Sequence, residues 1–253
     1  LTDRTGYLFE LFCSVQGEGV YVGERQIFVR TSGCAATCYW CDTPSSKKKR
    51  PVCRIHAARK RSLENPVSVE DAVREVLALK SEYDPVRTVS LTGGEPLEQP
   101  EFTGGLAAAL KKKGFRVYLE TNGLEPRALA EVLKSVDVVS MDFKLPSATG
   151  TVHWDVHREF LRAARRVEVF VKVVVDHSTP LDELDAAVRL VAEVDAGVPL
   201  VLQPESATFL GGAHGEAARQ RLQDLLDRAQ RRGLTQLRDV RVIPQCHKLL
   251  KVR

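Results

Sequence analysis

The chain lacks most of the features that mark secreted, membrane-bound or nucleic-acid-wrapping proteins. It holds six cysteines in 253 residues, far too few for the disulfide framework of a small secreted scaffold. No apolar run approaches the roughly 20 residues needed to cross a bilayer. The opening Leu1-Thr2-Asp3-Arg4 has neither the basic segment nor the apolar stretch of an export signal. With free thiols and no such signal, the expected compartment is the reducing cytoplasm. The net charge of +4 is mild, and much of the excess is local. Lys47-Lys48-Lys49-Arg50 and Arg59-Lys60-Arg61 flank Arg54 and His56. No aromatic residue is interleaved there for base stacking, which favours a solvated surface loop over a nucleic-acid contact. Docking of an acidic electron donor is the intermediate reading. Neither repeat nor linker divides the chain. Residues 1–253 are therefore expected to form a single domain, with residues 44–66 as a basic inserted loop.

What is present is a steady alternation of apolar strands and amphipathic helices. Residues 26–30 read as a strand running straight into a cysteine-rich loop. Further strands are expected at 88–91, 115–119, 136–143, 167–175, 199–203 and 240–243. Helices are expected at about 69–80, 102–113, 126–134, 154–166, 180–194 and 214–232. Ser68 stands ahead of Val69-Glu70-Asp71 as a helix N-cap with acids in the first turn, and Gly114 stops the helix before it. Such a series predicts an α/β fold with a parallel sheet flanked by helices. With about six strands after the cysteines, a partial, open TIM-like βα barrel fits better than a closed eight-stranded one. The polar and glycine-rich motifs fall at strand C-terminal ends, where such folds build their sites.

Cys34, Cys38 and Cys41 lie in Gly33-Cys34-Ala35-Ala36-Thr37-Cys38-Tyr39-Trp40-Cys41-Asp42-Thr43, a C-x3-C-x2-C spacing. Three thiolates this close can wrap one face of a 4Fe–4S cube, which ordinarily takes four cysteines. The remaining iron keeps an open position, the mark of a reactive metal rather than a structural one. Zinc is the competing occupant, with a fourth ligand from Cys13, Cys53, Cys246 or a histidine. Zinc ligands usually come as two separated pairs, however, and this chain has one Cys-x2-Cys. His153 and His157 stand four apart but have no third ligand near them, and read as helix surface or packing. Cys53 reads as a bystander.

Thr92-Gly93-Gly94-Glu95-Pro96 ends a β-branched strand some fifty residues beyond the cysteines. Two glycines at a strand end let backbone approach a ligand, or make a tight turn. Together with the cysteines, this segment resembles the radical S-adenosylmethionine (SAM) enzymes. The whole chain is similar to the 7-carboxy-7-deazaguanine synthase family of the queuosine (7-deazaguanine) precursor pathway. The resemblance is carried by Ser14-Val15-Gln16-Gly17-Glu18-Gly19, Phe28-Val29-Arg30, Cys41-Asp42-Thr43, LTGGEP at 91–96, ETNG at 120–123, MDFKLP at 141–146, Gln203-Pro204 and Pro244-Gln245-Cys246-His247-Lys248.

The resemblance implies a carbon–nitrogen lyase using a 4Fe–4S cluster, SAM and Mg2+. It would convert 6-carboxy-5,6,7,8-tetrahydropterin to 7-carboxy-7-deazaguanine. A 5′-deoxyadenosyl radical takes a hydrogen from the pterin, the ring contracts and ammonia leaves. The cluster would sit on Cys34, Cys38 and Cys41, and Mg2+ at Thr43. Substrate would be held by Val15, Gln16, Gly17, Arg30, Thr92, Glu120 and His247, with Arg30 suited to pair the carboxylate bidentately. SAM would be held by Gly93, Gly94, Glu95, Asn122, Asp142, Phe143, Lys144, Gln203, Pro204, Glu205 and Ser206. Taken alone, several of these residues have plainer readings: Thr43 as a turn cap, Glu120 in an ion pair, Asn122-Gly123 as a turn, Lys144 as a solvated strand end, and His247 as a buried, hydrogen-bonded histidine. Implied partners are a flavodoxin- or ferredoxin-type electron donor and a second copy in a homodimer, with neither membrane nor nucleic acid. The chain departs from the family by continuing past His247 to Val252-Arg253, where some members end in a proline whose carboxylate meets substrate. Two other functions compete: a radical SAM activating enzyme acting on a protein, and a zinc-stabilised module binding nucleic acid.

Overall fold

The computed structural model describes residues 4–211 and 214–253. Residues 1–3, part of the stretch read for an export signal, lie outside the described residues. Ten strands form one sheet: β1 (Leu8–Val15), β2 (Arg25–Thr31), β3 (Val52–His56), β4 (Arg61–Glu64), β5 (Thr88–Gly93), β6 (Arg116–Thr121), β7 (Val138–Phe143), β8 (Glu168–Val175), β9 (Leu200–Pro204) and β10 (Val240–Val242). Their order is β10-β9-β8-β7-β6-β5-β2-β1-β3-β4. The seven strands from β2 to β10 in this order are mutually parallel, and six of them follow the cysteines. The outermost strands, β10 and β4, do not pair with each other, so the sheet is an open barrel segment.

The longer helices between the strands are α1 (Val69–Glu82), α2 (Pro100–Lys112), α3 (Pro126–Val132), α4 (Trp154–Ala164), α5 (Leu181–Asp195) and α6 (Gly215–Gly233). From β5 onward each strand is added on the same side of the last. Right-handed crossovers then place every connecting helix on one face, and each helix packs against its successor. The Ser68 hydroxyl caps α1 by accepting from the Asp71 N–H at 3.0 Å. Gly114, at φ +81°, turns the chain out of α2 into β6.

Alternation along the strands separates core from site. Val117 and Leu119 of β6, Val139, Met141 and Phe143 of β7, and Val171, Val173 and Val175 of β8 face the helices and are buried in the main core. The residues between them face the concave side. There Tyr118, Val138, Phe170 and Val201 form a second apolar cluster, with Val20 and Tyr21 packed on it. Burial of a side chain such as Phe170 stabilises the fold by about 1.5–3 kcal/mol. This cluster floors the concave face. Beyond it, toward the strand C-terminal ends, the inward residues become polar.

The expected loop over 44–66 contains two strands. In β3, Cys53 and Ile55 are buried while Val52 and Arg54 are exposed, a period of two that clusters of basic residues obscure in the sequence. β3 pairs parallel to β1, and β4 returns antiparallel to β3, extending the sheet at the edge away from β10. β1 itself, absent from the expected strands, is an eight-residue strand that pairs antiparallel to β2.

Candidate functional site

The cysteine loop begins where β2 ends, and the glycine turn after β5 clasps it. Gly94 N–H donates to the Thr31 carbonyl at 3.0 Å, and Glu95 N–H to the Gly33 carbonyl at 2.7 Å. Gly93 lies at φ +125°. A Cβ on Gly93 would overlap the Thr31 backbone, and one on Gly94 would overlap the Gly33 carbonyl. These glycines thus admit one stretch of chain to another, and the loop is set in place by that contact. The far side of the loop is held by Gly33 N–H to the Ser46 carbonyl at 2.8 Å and Cys34 N–H to the Lys47 carbonyl at 3.2 Å.

Glu95 is buried and joins this turn to the end of β6. Its carboxyl accepts from Leu97 N–H at 3.0 Å, from the Thr121 hydroxyl at 2.8 Å and from Asn122 N–H at 2.8 Å. Burial outweighs these three donors and pushes its pKa up to about 7.

Cys34, Cys38 and Cys41 all face one cavity. Among the described residues, the one set of ligand atoms gathered within 4.8 Å is Glu18, Asp42 and His247, so at least one pair of the three sulfurs stands further apart than that. A single tetrahedral zinc at Zn–S of ~2.3 Å needs its sulfurs roughly 3.8 Å apart. The wider spread suits a cluster of several irons. Burial raises the Cys34 thiol to about 11, with the Glu95 and Glu98 carboxylates adding to the rise, and burial also raises Cys38. A bound iron supplies the positive charge that would reverse both shifts.

The cavity encloses about 1250 Å³, its open mouth included. One wall centres on Glu120, which accepts from the Gln16 side-chain amide at 2.8 Å, the Thr92 hydroxyl at 2.6 Å and the Ser90 hydroxyl at 3.2 Å. Near it, Arg30 donates through Nε to Glu10 at 3.2 Å and through Nη1 to the Thr43 hydroxyl at 3.5 Å. The opposite wall is a chain of charges. Lys144 pairs with Asp142 at 2.9 Å, Lys172 with Asp142 at 3.4 Å, and Lys172 also with Glu18. Burial opposes the Glu18 charge, but the Lys172 ammonium overrides it and holds the carboxyl at about 2. Gln245 then extends the chain from Glu18 to Asp42, donating to Glu18 at 2.5 Å and Asp42 at 3.1 Å and accepting from the Ser206 hydroxyl.

Most of the expected site residues meet here. Val15, Gln16, Gly17, Arg30, Thr92, Gly93, Gly94, Glu95, Glu120, Asn122, Asp142, Lys144, Gln203, Glu205, Ser206 and His247 line the cavity with the three cysteines. Thr43, Phe143 and Pro204 do not. Phe143 has the wrong parity on β7: its ring is buried on the helix side and stacks on His157 at 4.7 Å. Pro204 ends β9 paired to Val175. Thr43 lies one residue outside, its hydroxyl donating to Asp42 at 3.0 Å. His157 is fully buried, so its role is packing and not surface.

Several cavity residues were not expected: Glu18, Asp42, Lys172, Gln245 and Arg253, with Phe12 and Phe28 beside them. Lys172 had a signal, a lone cation inside the apolar run VEVFVKVVV. Glu10 had the matching one, an acid inside an apolar strand.

Two buried atoms of the cavity lining, Asp142 Oδ1 and Gln203 Oε1, have no partner. Both are acceptors, and they suit a ligand that brings N–H and O–H donors, as the amino group and adenosine of SAM do. Lys144, its ammonium retained by Asp142 against burial, is placed for a carboxylate.

Comparison with known proteins bears on the family and the fold. Residues 28–193 match the model of the radical SAM superfamily. The chain is 37% identical to a 7-carboxy-7-deazaguanine synthase of Geobacter sulfurreducens, over 96% of each chain. It is 38% identical to one of Methanopyrus kandleri, over 96% of this chain and 92% of the relative. Among solved structures, QueE from Escherichia coli superposes with a TM-score of 0.61 at 21% identity, covering 96% of this chain and 95% of the other. Streptococcus suis SuiB, bound to its precursor peptide SuiA, gives 0.59 at 14% identity over 85% of this chain and 47% of its own. These two structural likenesses speak for the fold.

Proposed function

The chain belongs to the radical SAM superfamily and, within it, to the 7-carboxy-7-deazaguanine synthases, and we propose that it converts 6-carboxy-5,6,7,8-tetrahydropterin to 7-carboxy-7-deazaguanine with loss of ammonia. The observation that carries this is one cavity in which the cysteine loop, the GGEP turn and the family-specific QGEG and Gln-Cys-His-Lys segments converge. The cluster and SAM, when bound, supply the 5′-deoxyadenosyl radical that starts the ring contraction.

The residues divide the cavity between two ligands. Cys34, Cys38 and Cys41 hold the cluster, and Lys144, Asp142, Gln203 and the carbonyls of the GGEP turn hold SAM. Glu120 and Gln16 present acceptor and donor to the aminopyrimidine edge of the pterin, and Arg30 faces its carboxylate. A substrate fixed on both edges is held in one orientation to the radical. The paired glutamate, amide and guanidinium favour a small polar substrate over the peptide of an activating enzyme.

Mg2+ prefers oxygen ligands and binds through one or two carboxylates together with substrate oxygens. Glu18 and Asp42, gathered with His247, fit that demand better than Thr43, whose hydroxyl is turned to Asp42 and orients it. The electron donor, a flavodoxin or ferredoxin, is acidic and would approach over Lys47 to Arg50. This run is bonded to the cysteine loop, with Lys47 Nζ 3.5 Å from the Cys38 carbonyl. A homodimer follows from the family resemblance.

Anaerobic equilibrium binding to reconstituted protein tests the division of the cavity. Arg30→Ala should leave SAM binding unchanged and weaken pterin binding. Loss of SAM binding alone would show the two ligands to be placed wrongly. Retained electron paramagnetic resonance of bound Mn2+ in Thr43→Ala, with its loss in Asp42→Asn, is expected from the Mg2+ placement, and the reverse pattern contradicts it.

A further inference from the structure

Arg253 lines the cavity and has no role in the proposed function. The short helix Cys246–Leu249 ends in a reversal: Val252 N–H donates to the His247 carbonyl at 3.0 Å, and Lys251 N–H to the Lys248 carbonyl at 3.3 Å. This pair of bonds is the Schellman pattern, in which the residue after the cap turns left-handed. That residue is Lys251 at φ +53°, the one non-glycine residue of positive φ among the described residues. The turn sends Arg253 back into the cavity.

There, Arg253 Nη1 donates to Glu10 Oε2 at 2.6 Å, while Arg30 Nε donates to Oε1 of the same carboxylate at 3.2 Å. Both guanidiniums stand by the Phe12 ring, at 6.0 Å and 5.7 Å from its centroid. Phe12 stacks on Phe28 at 4.9 Å, with the rings 9° from parallel. His56 lies 3.0 Å from Glu10, but burial and the Arg253 charge favour its neutral form. Two permanent cations thus share one carboxylate, and the surplus positive charge faces the cavity. Each guanidinium has five N–H donors, and these bonds use few of them. The Arg253 side chain is 51% exposed, so its remaining donors are open to a ligand.

Resting on the substrate assignment above, we propose that Arg253 is a second carboxylate-recognition residue, which together with Arg30 receives the anionic group of a flat heterocyclic substrate seated by Phe12 and Phe28. A carboxylate accepts bidentately from such forks, and two of them at one wall would select a carboxylated pterin over one without the group.

The test is an anaerobic fluorescence titration of the cluster-loaded, SAM-bound protein with two oxidised probes, 6-carboxypterin and 6-methylpterin. Wild type should prefer 6-carboxypterin. Arg253→Gln should weaken that probe about 10- to 100-fold, the worth of a charge-assisted hydrogen bond, and leave 6-methylpterin unchanged. Arg253→Lys should recover part of the loss, since a lysine lacks the planar fork. Lys251→Gly, which keeps the turn, should bind as wild type does. Equal weakening of both probes, or no weakening of either, overturns the proposal. Selective wild-type binding that Arg253→Gln leaves intact removes Arg253 alone. Wild type that binds neither probe removes the substrate assignment and Arg253 with it.

Discussion

Gly17 and His247 lie in direct contact, so close that a Cβ on residue 17 would overlap the imidazole Nδ1. The neighbouring Cys246 N–H donates to the Gly17 carbonyl at 2.8 Å, which fixes the two segments against each other. The QGEG turn and the Gln-Cys-His-Lys segment are therefore two halves of one wall, although 230 positions separate Gly17 from His247 in the sequence.

Gly17→Ala should move His247 out of the cavity. Overpacking of this kind typically costs 1–3 kcal/mol, so about that much stability should go. The loss of activity should be greater, on the order of 100-fold in kcat/KM, because a misplaced group costs more in rate than in folding. Steady-state kinetics beside a denaturant melt would show the difference. Equal, small effects on both would mean that His247 has no part in the reaction.

Gly94→Ala acts on the other side of the site. The added Cβ meets the Gly33 carbonyl, which is backbone and cannot swing away. The cysteine loop should shift, and iron uptake on reconstitution should fall although no ligand has been changed. Full iron content in a folded Gly94→Ala protein would show that the clasp does not position the loop.

Alanine at Cys34, Cys38 or Cys41 should abolish iron and sulfide incorporation. Cys53→Ala should keep both. Burial holds the Cys53 thiol protonated, with its pKa pushed up to about 12, and its side chain is packed in the core beneath β3. The cost there should be one of stability only, about 1 kcal/mol. Iron and sulfide assays of the four variants check this, and loss of iron in Cys53→Ala would contradict it.

Stability against pH should show two opposed slopes. Burial raises Glu95 to about 7 from its usual 4.5. The folded state then holds this proton more tightly, and the contribution present at low pH is lost as pH rises through about 7. Burial lowers His157 to about 3 from 6.5. Its contribution is present above 6.5 and lost as pH falls toward 3. Between 4.5 and 6.5 the two offset each other. His157→Leu removes one side, so the variant should lose stability with rising pH across this window, relative to wild type, by about 1.4 kcal/mol per pH unit. Parallel profiles for the two proteins would contradict the buried, neutral state of His157.

Strand and helix order from residue 68 onward is legible in the sequence because β-branched and apolar residues concentrate in the strands, most clearly in VEVFVKVVV, and caps, glycines and prolines mark many of the boundaries between strands and helices. The cysteine spacing and the GGEP turn named the chemistry for the same reason, since both are local. What the sequence hid is non-local. β3 carries its period of two in Cys53 and Ile55 alone, and the basic residues around them read as a solvated loop. The role of Gly93 and Gly94 in holding the cysteine loop depends on Thr31 and Gly33, some sixty residues away. Phe143 was misplaced by one residue of strand parity, which turns a side chain from the cavity to the core. The pairing of Lys172 with Glu18, and of Arg253 with Glu10, joins a strand residue to the turn after β1 in the first case and to the segment after the helix Cys246–Leu249 in the second, and no spacing along the chain records it.

The most direct measurement is an anaerobic turnover of the reconstituted protein with a reductant, SAM, Mg2+ and 6-carboxy-5,6,7,8-tetrahydropterin, the products being identified by mass spectrometry. The account predicts 7-carboxy-7-deazaguanine, formed only when both SAM and the pterin are present. Formation of 5′-deoxyadenosine from cluster-loaded protein with the pterin recovered unchanged would contradict the substrate, and with it the division of the cavity described above.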